Sequence, residues 1–114
     1  MSNKKIPTAI GEAALANPEQ DLPTAVRYLL QLIAELSPGH SVELRIPPYG
    51  AIQCMAGLNH RRGTPPNVVE ISPEVFLSVC FGKSSWQEEM ANGKVLASGE
   101  LAKELASLFP LRSD

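Results

Sequence analysis

The chain has 114 residues, 44% hydrophobic and 19% charged, which is enough for one soluble domain with a single core. Net charge is −2 and the ten Lys and Arg are scattered except at Lys4-Lys5 and Arg61-Arg62, so no basic face exists to neutralise a nucleic acid backbone. No apolar run approaches the ~20 residues of a membrane span, and residues 1–20 lack the apolar stretch of a secretory signal, so a cytoplasmic location is expected.

Residues 1–20 read as an N-terminal arm, mobile or folded into a short Ala-rich helix around Thr8 to Ala16, with Pro18 as its interruption. A single domain is expected over 21–114. The segment DLPTAVRYLLQLIAELSPGH predicts a helix: Asp21 caps it and Pro23 sits in its first turn. Leu22, Val26, Leu29, Leu30, Ile33 and Leu36 form its apolar stripe, and Pro38-Gly39 stops it.

The period then drops to two, with Val42, Leu44 and Ile46 alternating against Glu43 and Arg45, the pattern of a half-buried strand. Pro48-Tyr49-Gly50 supplies a turn into a second strand over Ala51 to Ala56. A third strand is expected over Asn67 to Ile71. Between the second and third strands lies NHRRGTPPN, where Gly63 permits a turn and Pro65-Pro66 stiffen its exit.

Ser72-Pro73-Glu74 starts a helix running to Phe81, with Gly82 as its stop. Ser85 and Glu88 have capping-box spacing, which predicts a short helix from Trp86 to Asn92 ending at Gly93. Lys94 to Ala97 reads as a fourth strand. Leu101, Leu105 and Leu108 mark a last helix over Glu100 to Phe109, closed by Pro110. The expected class is α+β, with a mainly antiparallel sheet of four to five strands covered on one face by helices.

The residues assemble no catalytic constellation. There is no G-x-S-x-G elbow and no phosphate-cradling glycine loop. Cys54 and His60 are close in sequence, but Cys54 lies in an apolar strand, where a thiol is ordinarily inert packing. The two cysteines have no C-x-x-C spacing and no Cys/His partners to complete a zinc site, so both read as reduced and no metal is expected. Glu88 and Glu89 are adjacent on a helix and point apart, a solvated face.

Apolar bulk is the stronger lead. Phe76, Val79, Phe81, Trp86, Met90, Leu101 and Leu105 offer more of it than a four-stranded sheet has faces to cover, and they serve either as plain core or as the lining of a pocket.

The stretch EISPEVFLSVCFGKSSWQEEMANGKVLASGELAKELASLFPL resembles the sterol carrier protein family, whose members run from a strand through two helices to a strand and a closing helix. VELRIPPYGAIQC and HRRGTPPNVVE resemble more narrowly a short actinobacterial branch of that family. The resemblance spans about residues 24–111. It implies helices over one face of a mostly antiparallel sheet, with a hydrophobic tunnel for a fatty acid, acyl-CoA or sterol-like ligand.

Two functions follow as expectations. One is a non-enzymatic, cofactor-free lipid-binding or carrier domain, its pocket lined by the seven residues above, with His60, Arg61 and Arg62 as candidate contacts to a ligand headgroup. The other is a protein-interaction or regulatory module on the same fold, its pocket closed and the HRRGTPP loop docked on a partner.

Overall fold

A computed structural model of the protein describes residues 4–57 and 67–112. Helix α1 (Thr8–Ala16) and a 3-10 turn (Pro18–Gln20) lead into the long helix α2 (Leu22–Leu36). Strands β1 (Val42–Ile46), β2 (Gly50–Cys54) and β3 (Asn67–Ile71) follow, then α3 (Pro73–Cys80), α4 (Trp86–Ala91), β4 (Val95–Ser98) and a closing 3-10 helix (Glu100–Leu108).

Asp21 caps α2 by accepting the Thr24 N–H at 3.3 Å, as its sequence predicts. The apolar stripe also folds inward: Val26, Leu29, Leu30 and Ile33 are at most 2% exposed, each contributing about 1.5–3 kcal/mol by burial. Leu36 departs from that stripe. It lies in the last turn and is 62% exposed.

The four strands form one sheet in the order β2-β1-β3-β4. β1 pairs antiparallel with β2, and β3 antiparallel with β4, but the central β1–β3 pair is parallel. The sheet is therefore mixed, where a mainly antiparallel one of four to five strands was expected. Its register explains this. Val42 is opposite both Cys54, the end of β2, and Asn67, the start of β3. The chain leaves and re-enters the sheet at the same end, and seats β3 on the far side of β1, so β3 must run with β1.

Alternation along the strands sorts the two faces. Val42, Leu44, Ile46, Cys54, Val69, Ile71 and Val95 are buried and share one core with α2, α3 and the closing helix. Glu43, Arg45, Glu70 and the exposed Leu96 take the other face, where Arg45 Nε lies 3.0 Å from Glu43 Oε2. Helices thus cover a single face.

The closing helix is 3-10 in form. Three residues per turn place Ala102, Leu105 and Leu108 on one face, and Ala102 and Leu105 are buried. In sequence the same segment satisfies an α-helical stripe through Leu101, Leu105 and Leu108, so spacing alone did not separate the two.

The ends of the described chain meet. Arg112 donates through both terminal nitrogens to Glu12, at 2.7 and 2.8 Å, and Tyr28 Oη donates to the same carboxylate at 3.2 Å. The Tyr28 ring lies against Gly11, in the space that a Cβ at that position would need. Ahead of α1, Gln31 receives the Ile6 N–H at 2.8 Å and donates to the Ile6 carbonyl at 3.1 Å.

Candidate functional site

The predicted pocket residues converge on the layer between sheet and helices, and local signals place them there. Ser72 accepts the Val75 N–H at 3.4 Å to start α3, with Pro73 at its first position. α3 ends where Gly82 takes φ 74° and Lys83 N–H reaches the Ser78 carbonyl at 2.8 Å. The Ser85–Glu88 capping box then forms, at 2.9 and 3.0 Å, and fixes Trp86 at the first position of α4.

Phe76, Val79, Trp86 and Leu105 are buried, and Phe81, Met90 and Leu101 pack half-buried against the same core. They do not line one surface. Val79 and Trp86 reach a cleft of about 330 Å³ shared with Ala106, Phe109 and Pro110, whereas Phe81 faces a separate cleft of about 410 Å³ with Leu15 and Leu77.

Phe109 is the aromatic that sequence reading missed. Its ring stacks on Trp86 with centroids 5.4 Å apart and meets Phe76 edge-on at 6.5 Å. The tail holding it is anchored by Leu111 and Arg112 N–H groups, both donating to the Cys80 carbonyl, at 2.9 and 3.0 Å. A signal was available: an aromatic directly before Pro110, one residue past the last helical leucine. The result is an aromatic seam between α3, α4 and the C-terminal segment.

Within that seam the indole N–H of Trp86 is buried and meets no acceptor among the described residues. An unmet buried donor costs about 1–3 kcal/mol, so a native protein ordinarily supplies it with a protein group, a water or a ligand.

Asn67 is the other inner-face polar residue that strand patterning concealed. It is 4% exposed, and its side chain donates to the Ser41 carbonyl at 2.8 Å and accepts the Leu101 N–H at 2.9 Å. One amide thus ties β1, β3 and the start of the closing helix together.

Both thiols are in the core. Burial pushes the Cys54 pKa up to about 11 and that of Cys80 higher still, so both hold their protons at neutral pH. His40 is on the surface, its Nδ1 2.8 Å from Gln53 Oε1. Among the described residues, no three His, Cys, Asp or Glu side chains converge as a metal site, and no helix is long and apolar enough to cross a membrane. His60, Arg61 and Arg62 lie outside the described residues.

Fold and seam together define a class: a small α+β domain whose helices cover one face of a mixed sheet over an apolar interior that meets the surface at an aromatic edge. Residues 18–111 match the family described as bacterial SCP ortholog, and the chain belongs to this sterol-carrier-protein-like family. Comparison with curated proteins gives no match. At the level of the family, the chain is a lipid-carrier type of domain.

Proposed function

We propose that the protein is a non-enzymatic lipid-binding domain that takes an acyl chain or sterol-like molecule into the seam between α3, α4 and the C-terminal segment. The supporting observation is the buried Trp86 indole N–H without an acceptor among the described residues, beside Val79 and the stacked Phe109 in a cleft whose rim also carries Lys83, Ser84 and Gln87. A ligand hydroxyl, ester or carboxyl oxygen satisfies that donor while its hydrocarbon displaces Phe109 from the interior. Each buried methylene contributes about 0.8 kcal/mol, so a ten-carbon chain reaches about micromolar affinity.

In this reading Val79 lines the seam, Phe76, Met90, Leu101 and Leu105 supply the apolar core behind it, Phe81 belongs to the separate cleft with Leu15 and Leu77, and His60, Arg61 and Arg62 stay as headgroup contacts supported by sequence. A second reading, a protein-interaction module with a closed interior, is favoured by the complete burial of Phe76 and Leu105.

Native mass spectrometry of freshly purified protein, followed by fatty-acid titration read from Trp86, separates the two. Trp86 is the only tryptophan, so the signal has one source. Co-purified lipid and saturable binding below about 100 μM support the carrier. Absence of both leaves the interaction module.

A further inference from the structure

We propose a second binding site, in the cleft between α2, β2 and the segment at residues 4–6, for a medium-chain amphiphile with an anionic head. The cleft has a volume of about 660 Å³, within the ~300–1,000 Å³ range of small-molecule sites, and none of the seam residues lines it. Its floor is apolar: Leu30, Ala34, Ile6 and Ile52.

The sheet itself leaves this space open. Gly50 and Ile52 belong to the covered face of edge strand β2 but are only half-buried. A Cβ at Gly50 would lie 3.2 Å from Leu30 Cδ1 and 3.8 Å from Arg27 Cγ, so the missing side chain keeps the floor low. On the other side, the paired bonds of Gln31 to the Ile6 backbone hold the arm alongside α2 as the second wall.

Charge then selects the ligand. In a chain of net charge −2, Lys4, Lys5 and Arg27 line this cleft against one carboxylate, Glu35. Arg27 Nε donates to the Tyr49 carbonyl at 2.9 Å, which fixes the guanidinium at the cleft's edge, while its two terminal nitrogens have no acceptor among the described residues. A planar, positioned guanidinium suits bidentate recognition of a carboxylate or phosphate. Lys5 instead pairs with Glu35 at 3.0 Å, so the far end of the cleft is neutralised.

Arg27 and Glu35 are eight residues apart on one helix, about 12 Å at ~1.5 Å per residue. The head therefore seats at Arg27 and the chain runs over Leu30 and Ala34 towards Glu35, a span that matches eight to ten carbons in order of magnitude.

The test uses decanoate, decanol and the full chain labelled for NMR. Decanoate is expected to shift Ala34, Ala51 and Ile52 resonances in a saturable manner, with decanol about tenfold weaker, the loss set by one charge-assisted contact. Arg27→Gln removes that preference, and Gly50→Val, which leaves every charge in place, weakens both ligands. Glu35→Gln frees Lys5 and tightens decanoate about twofold to threefold, in line with a weak exposed ion pair.

Equal affinity for decanoate and decanol overturns the anionic-head assignment. Shifts confined to the Trp86 indole resonance overturn this site while leaving the seam reading intact, and cleft shifts with a silent indole do the reverse. Sedimentation with phosphatidylglycerol vesicles, without binding of monomeric decanoate, assigns the cations to a lipid surface and overturns the cleft.

Discussion

Replacing Asn67 tests how the sheet and the closing helix are joined. In Asn67→Ala the Ser41 carbonyl and the Leu101 N–H both lose their partner, at a site only 4% exposed. Each orphaned group costs about 1–3 kcal/mol when it stays dry, and partial entry of water puts the sum at about 2–4 kcal/mol. At ~4 °C per kcal/mol for a chain of this length, Tm falls by about 8–16 °C.

Asn67→Asp keeps the shape and gives the pH signature. One carboxylate oxygen still accepts from Leu101, but the other faces the Ser41 carbonyl, so the charged form is disfavoured and the folded pKa lies above the ~3.9 of an unfolded Asp. The penalty relative to wild type is therefore complete above the folded pKa. It shrinks as pH falls through that value and vanishes below about 3.9. Thermal melts at neutral pH and near pH 4, with amide exchange at Leu101, provide the readout. A Tm change under ~2 °C in Asn67→Ala, with Leu101 protection retained, would refute the tie.

Three further outcomes follow from contacts elsewhere. The hydrogen bond from Arg112, with its charge, holds the Glu12 carboxyl below the usual 4.5, so its stabilisation is present above that value and is lost as pH falls through the lowered folded pKa. Melts of Glu12→Gln should lie below wild type at pH 7 and converge with it in acid. Gly11→Ala destabilises because its methyl displaces the Tyr28 ring, yet in a Tyr28→Ala background the same change should stabilise by up to about 1 kcal/mol through helix propensity, a sign reversal measurable by denaturant titration. Phe109→Ala should cost about 2–3 kcal/mol, a half-buried fraction of a core Phe deletion, and shift Trp86 emission to the red as water reaches the seam.

What sequence revealed was local. Asp21, Ser72 and the Ser85–Glu88 box cap their helices as their spacing implies, because capping is decided within four residues. The hairpin of β1 and β2 is likewise local, and its alternation chose the buried face. The parallel β1–β3 pair was not legible: alternation says which face a strand buries and nothing about which neighbour it takes or in which direction. Asn67 escaped notice because its partners, Ser41 and Leu101, are 26 and 34 residues away. The same holds for the site. Trp86 and Phe76 are conspicuous in the sequence, whereas Phe109 joins them only once the tail folds back on Cys80.

The Glu12–Arg112 contact spans 100 positions of sequence. Closing a loop of that length carries an entropic cost that grows as about (3/2)RT ln n, and it is met only after the intervening strands and helices have already brought the two residues together. The pair is therefore expected to form on the native side of the folding barrier. Its loss should quicken unfolding while leaving the rate of folding almost unchanged, so the ion pair sets how long the native state lasts more than how readily it is reached.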